Sequence, residues 1–209
     1  MGLNLYTVIE RLKSKRKIFV SEADFQLELA WNIRELYPEA QIRLEFCPDF
    51  APSMRVDILV LMDDRWIPIE LKYKTKAYWK VIDGELFSLK NHAAQDLGRY
   101  DYLRDLQRLE YLKENAPLFE EGYTVFLTND QSYTKNPRDP DCAYKEFALG
   151  DGATKTGVMR WGERASAGTM KYREEPISLK GAYNINWQPF SNLDDSSAGS
   201  FFILVNRVK

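Results

Sequence analysis

The sequence predicts an α/β protein whose helices flank a central mixed β-sheet, and three observations carry the prediction. Helical and strand periodicities interleave over the first two thirds of the 209 residues, the pattern of a sheet covered by helices. Tyr123–Thr128 (YTVFLT) is an apolar run of the length expected of a strand buried on both faces. After a loop-rich stretch, the chain closes on a second strongly apolar run, Phe201–Val208 (FFILVNRV). A chain of this size buries roughly 70% of its unfolded surface, enough for a core without covalent staples. We expect one domain over 1–209, with a core at about 18–128 and a loop-rich, β-rich extension at 129–209.

The elements follow in order. Leu3–Leu12 reads as a short helix with Leu5, Val8, Ile9 and Leu12 on one face, running into the basic patch Lys13–Lys17. Ser21 has the character of an N-cap, and Ser21 to Asp24 the spacing of a capping box. That helix carries Phe25, Leu29, Ile33 and Leu36 at spacings of three and four and stops at Pro38. Gln41–Phe46, Arg55–Leu61 and Trp66–Tyr73 read as strands, with Met62–Arg65 turning between the last two. Asp83-Gly84 marks a second hairpin within Trp79–Leu89. Asn91–Lys113 is the longest helical segment, Asn129–Glu175 reads as loops with short elements, and Ile177–Trp187 recovers a strand pattern.

Composition excludes several classes. Lys plus Arg (29) against Asp plus Glu (31) leaves −2, so no bulk basic charge advertises nucleic acid, although a groove needs only local charge. Two cysteines, Cys47 and Cys142, cannot build a disulfide framework; a reducing compartment and two buried thiols are expected. No segment has the length and apolarity of a signal peptide or a membrane span, and MGLNLY lacks the Ser or Thr of a myristoylation signal. A soluble, cytoplasmic protein is the expectation. A single histidine, His92, read as a helix-start residue, rules out a His-based triad or a His-rich zinc site.

The chemistry concentrates in Arg55–Lys76 (RVDILVLMDDRWIPIELKYKTK). Strand alternation puts Glu70, Lys72 and Lys74 on one face and Ile69, Leu71 and Tyr73 on the other. A turn centred on Asp63-Asp64 sets Asp57 across from Glu70 and Arg55 across from Lys72. Facing carboxylates repel, so the pair needs positive charge, either Lys72 or, better, a divalent cation. Mg²⁺ uses one or two carboxylates and keeps its waters. Beside a lysine, such an ion suits phosphodiester hydrolysis, with Lys72 orienting water or neutralising developing charge.

Asp57, twelve residues, then Glu70-Leu71-Lys72 on the next strand, after an acidic helix, resembles the PD-(D/E)xK nuclease superfamily. The resemblance covers Ser21 to Leu127 in element order, departing from the family at Val56, where a proline is frequent. It implies a restriction-endonuclease-like core with Asp57, Glu70 and the Leu71 carbonyl holding Mg²⁺ (or Mn²⁺). It further implies Lys72 as catalytic lysine and Glu22 as auxiliary acid. The implied partner is nucleic acid, DNA ahead of RNA, with a homodimer left open. Gln26, Lys74, Lys76 and Lys80 are the candidate nucleic-acid contacts.

Plainer readings stand beside these. The strand residues suit a cross-strand salt network of Arg55, Asp57, Glu70 and Lys72. Glu22 suits a first-turn acid favoured by the helix dipole, and Glu28 a surface acid. The lysine line and the Lys13–Lys17 patch suit solvated faces. Tyr78 and Trp79 suit core aromatics better than a flap over substrate. Asp101, Asp105 and Arg108 share one helical stripe, with Arg104 and Gln107 at its edge; both a phosphate-facing surface and surface ion pairs fit that spacing. The function alternative to hydrolysis is a non-catalytic nucleic-acid or protein interaction module on the same scaffold.

Overall fold

The computed structural model describes residues 2–209. Its elements are α1 (Leu5–Lys15), α2 (Glu22–Leu36), β1 (Gln41–Phe46), β2 (Val56–Met62), β3 (Arg65–Lys74), β4 (Tyr78–Ile82), β5 (Glu85–Leu89), α3 (Gln95–Asn115) and β6 (Gly122–Thr128), followed by β7 (Thr154–Met159), α4 (Ala167–Met170), β8 (Ile177–Asn184), β9 (Gln188–Asn192) and β10 (Ser200–Val208). Six strands form one sheet in the order β1-β2-β3-β6-β10-β9. Only β3 and β6 run parallel, joined through α3 as a parallel pair requires; the sheet is therefore mixed. β4–β5 and β7–β8 are separate two-stranded units.

Helices cover the sheet because its strands are apolar on both faces. On one side, Leu5, Val8 and Leu12 of α1 and Phe25, Leu29 and Ile33 of α2 pack on Ile58, Val60, Ile69, Leu71, Tyr73, Val125 and Leu127. On the other, Leu103, Leu106 and Leu109 of α3 pack with Phe126, Leu204, Ile177 and Leu179. Ile69, Leu71 and Tyr73 thus face the first core, as their alternation predicts, leaving Glu70, Lys72 and Lys74 for the α3 side.

Local chemistry fixes the elements that carry this region. The Ser21 side chain accepts the Asp24 amide at 3.1 Å, and Asp24 Oδ2 accepts the Val20 amide at 2.9 Å; the reciprocal bond of the cap reaches one residue further back than a capping box requires. Asp63 and Asp64 both have positive φ (50° and 58°), the two-residue turn whose twist suits a hairpin. Its register follows, from Met62↔Arg65 back to Ile58↔Ile69.

Three expectations are corrected. Trp79 is 68% exposed, because β4–β5 packs only one face, burying Tyr78, Phe87 and Leu89. Cys47 is exposed and Cys142 half-buried; both lie in loops rather than in a core face. The long helix starts at Gln95, not Asn91, since Ala94 has a left-handed φ of 62°. The preceding residues fold back instead onto Thr75, whose hydroxyl donates to the Lys90 carbonyl at 2.7 Å. No helix among the described residues is long and apolar enough to cross a membrane.

Candidate active site

β2 and β3 pair as far as Ile58↔Ile69 and then part. Asp57 and Glu70 are the next positions of that register, but they do not continue the ladder, and neither do Arg55 and Lys72. Beyond the split β3 keeps β6 on its other edge, with Glu70 beside Thr124 and Lys72 beside Phe126. Alternate amides of β3 are then left facing an open edge, and buried amides require acceptors. Side chains supply them in sequence. Asp57 Oδ2 accepts the Leu71 amide at 2.5 Å, Glu22 Oε2 the Tyr73 amide at 2.6 Å, and His92 Nδ1 the Thr75 amide at 2.9 Å. This edge is what brings the acid at the start of α2 to the acid of β2.

Glu70 is 1% exposed, and neither of its carboxylate oxygens has a hydrogen-bond partner. Its nearest cation is Arg108, with Nη2 at 3.1 Å from Oε1. Lys72 Nζ lies 2.5 Å from Asp105 Oδ2 and donates to the Leu71 carbonyl at 3.1 Å. Arg108 also reaches Asp105 Oδ1 at 3.2 Å and donates to the Arg55 carbonyl. A recess of about 330 Å³ opens between Glu22, Lys72, Lys74, Asp101, Arg104, Asp105 and Arg108. A second, of about 430 Å³, holds Asp57 and shares Arg104 and Arg108 with the first.

The remaining predicted residues lie progressively outward. Gln26 Nε2 donates to the Asp57 carbonyl at 2.7 Å and to Glu45 Oε1 at 2.8 Å; it fastens α2 to the backbone of Asp57. Lys74 lines the recess beside Glu22 and Lys72. Lys76, past the strand end, lies 3.5 Å from Asp130. Lys80 is carried onto β4, where Asp194 and the Leu193 carbonyl hold it at 3.0 and 2.6 Å. Glu28, read as a surface acid, is half-buried and pairs with Arg16 at 3.1 Å. The salt network exists in altered form: Arg55 turns to the carbonyls of Pro52 and Met54, and Asp105 and Arg108 of α3 replace it. Those two residues are the part of the site that the sequence reading did not settle. Their signal was charge among the apolar positions Leu103, Leu106 and Leu109, which a wholly solvated stripe would not show.

Compared with known protein families and characterised proteins, the chain matches none. What the site can do therefore rests on its own electrostatics.

Burial pushes the Asp57 carboxyl up to about 6, against the Leu71 amide and Lys72, with Asp105 and Glu22 adding repulsion. Glu70 is raised well above the carboxylate range, first by burial and then by Asp105, with Arg108 opposing and Asp57 adding to the rise. Burial works against the Lys72 charge, but Asp105, Asp57 and Glu22 outweigh it and hold the ammonium above its ordinary range. Asp57, Glu70 and Asp105 thus share two close cations, Lys72 and Arg108, while Glu22, Lys74 and Arg104 line the recess around them. Among the described residues no group of three or more His, Cys, Asp or Glu side chains forms a metal cluster by itself. A divalent ion here would draw instead on two carboxylates and a backbone carbonyl. The Glu70 oxygens fit that role: they are hard donors, buried and without a hydrogen bond, with Arg108 at 3.1 Å from Oε1 as their one ion-pair partner among the described residues.

Proposed function

We propose that this chain is a metal-dependent phosphodiesterase of the PD-(D/E)xK type, acting on nucleic acid from a restriction-endonuclease-like core. The observation that carries the reading is the Glu70 carboxylate, buried without a hydrogen bond beside Asp57 and Lys72 where two strands separate. Asp57, Glu70 and the Leu71 carbonyl would hold Mg²⁺ or Mn²⁺. Such an ion supplies a polarised phosphate and a water of lowered pKa.

The chain's own residues do the rest. Lys72, kept protonated by Asp105, presents a fixed positive charge to a phosphate oxygen in the recess and offsets charge developing there. Its bond to the Leu71 carbonyl ties its ammonium to the strand that carries Glu70. Glu22, held by the Tyr73 amide through one oxygen, keeps the other for a water or a proton at the recess wall. Lys74 and Arg104 extend positive charge along the opening, where a phosphate backbone would run. The preference for DNA over RNA rests on the sequence resemblance, and a cytoplasmic setting on two unpaired cysteines.

Incubation of the purified chain with single- and double-stranded DNA and RNA in Mg²⁺ or Mn²⁺ tests the reading. Cleavage that disappears with chelator and in Glu70→Gln and Lys72→Met supports it; binding without cleavage under every condition overturns it. The second reading, a non-catalytic nucleic-acid or protein interaction module, draws on one observation. Arg108 against Glu70 and Lys72 against Asp105 already pair part of the charge without any ion.

A further inference from the structure

Arg99, in the second turn of α3, is 2% exposed, yet no carboxylate pairs with it among the described residues. Its guanidinium lies between two rings, 4.8 Å from the centroid of Tyr133 and 4.6 Å from that of Tyr144. Nη2 donates to the Ser132 carbonyl at 2.5 Å, while Nε finds no acceptor. The Ser132 hydroxyl is also buried without a partner. Stacking on tyrosines offsets part of the cost of a buried cation, but an unused guanidinium donor beside an unused hydroxyl remains expensive. Burial pushes Arg99 below its ordinary range, against Tyr144, Tyr133, Asp130 and Asp96.

Both residues line a recess of about 550 Å³ together with Lys76, Asn129, Lys135 and Arg138. Its one lining acid, Asp139, pairs with Arg164 at 2.8 Å. Asp130, outside the lining, accepts the Ser132 amide and the Gln95 side chain and lies 3.5 Å from Lys76. Lys135 and Arg138 pair with no carboxylate among the described residues. Arg99, Lys135 and Arg138 are thus three cations lining the recess without a carboxylate partner among the described residues.

We propose that this recess binds a phosphate group, held by the Arg99 guanidinium and the Ser132 hydroxyl, with Lys135 and Arg138 closing over it. A guanidinium fork with surrounding ammonium and amide donors matches the several oxygens of a phosphate better than the two of a carboxylate. Lys72 and Lys74 line the recess at the acids, and Lys76, two residues on and 3.5 Å from Asp130, lines this one, so one run of alternate residues reaches both. From that continuity we take the phosphate to belong to the nucleic-acid strand, an extension that rests on the phosphodiesterase reading. Free inorganic phosphate carries the same chemistry and is the other source.

The test follows the Arg99 Nε–H resonance of the full chain, without divalent metal, during titration with inorganic phosphate at constant ionic strength. A saturable shift is expected, with Kd weakened about tenfold in the exposed pair Lys135→Ala/Arg138→Ala and unchanged in Glu70→Gln. Arg99→Lys, which keeps the charge but not the fork, should also lose the site. No saturable shift, or an unaltered Kd in the exposed pair, overturns the proposal. A 5′-phosphorylated oligonucleotide that displaces inorganic phosphate supports the strand as source; failure to displace it leaves a site for free phosphate and removes the extension. Phosphate binding in a chain that cuts no nucleic acid would sink the phosphodiesterase reading alone.

Discussion

Glu22 Oε2 accepts the backbone amide of Tyr73 at 2.6 Å, so the acid that opens α2 serves as an edge partner for β3. The two readings that the sequence left open for Glu22 are therefore separable, because only one oxygen is committed to the strand. Glu22→Ala should cost about 1–2 kcal/mol by stranding the Tyr73 amide. Glu22→Gln keeps an acceptor and should stay within about 0.5 kcal/mol of the parent, yet lower cleavage about tenfold or more if the free oxygen serves the reaction. Urea unfolding and single-turnover cleavage on both variants give the answer. Equal activity of Glu22→Gln and the parent would reduce Glu22 to a strut.

Asp57 predicts an inverted pH dependence of stability. Its folded carboxyl sits at about 6 against an ordinary 3.8, so between those values the folded state binds more protons than the unfolded one. Stability contributed by this group is then highest below pH 3.8 and falls as pH rises to about 6. The cost at neutral pH is about 3 kcal/mol. Asp57→Asn preserves an oxygen acceptor for the Leu71 amide and removes the charge. It should stabilise the metal-free protein at pH 7, flatten the loss between pH 4 and 6, and abolish cleavage. Thermal melts across pH 4–8 measure the first two; a slope unchanged by Asp57→Asn would mean the carboxylate is already compensated.

Much of this arrangement is legible from residues near one another in sequence. The turn at Asp63-Asp64 has one favourable twist, so the pairing of β2 with β3 follows from two residues, and alternation sends Ile69, Leu71 and Tyr73 to one core. What the register could not reveal is where pairing stops. Asp57 turns its carboxylate onto the Leu71 amide, and this side-chain bond replaces the backbone ladder that would have continued to Arg55 and Lys72. The partners of Lys72 and Glu70 were obscure for another reason. Asp105 and Arg108 arrive from a helix whose orientation over the sheet depends on long-range packing, and their i,i+3 spacing is shared by ordinary surface pairs.

Lys72 should act as a permanent cation and never as a general base. Its ammonium is held above the ordinary range by Asp105, Asp57 and Glu22 despite burial. Cleavage should accordingly show no loss or gain from lysine titration up to about pH 10. Lys72→Met should destabilise by roughly 3–5 kcal/mol, because Asp105 is left buried with one counter-charge fewer. Adding Asp105→Asn to Lys72→Met should recover part of that stability while leaving activity absent. A double-mutant cycle in chemical denaturation reads the coupling; additive losses would show that the 2.5 Å contact contributes nothing in solution.

Arg108 gives the sharpest division between an ion site and a self-contained salt network, since it occupies the side of Glu70 that a metal would also neutralise. If the network is the end state, Arg108→Gln simply removes a partner from a buried acid: stability falls and divalent cations make no difference. If an ion belongs there, the same change removes a competitor. The metal-free protein loses stability, but Mn²⁺ and Mg²⁺ bind several-fold more tightly and restore it, by about 2.7 kcal/mol at a hundredfold excess over Kd. Glu70→Gln provides the opposite case, relieving the raised carboxyl and abolishing the metal effect. Calorimetric titration and melting with and without Mn²⁺ distinguish the two. Indifference of all three proteins to divalent cations would leave Arg108 as the permanent counter-ion of Glu70 and remove the basis for metal-dependent hydrolysis.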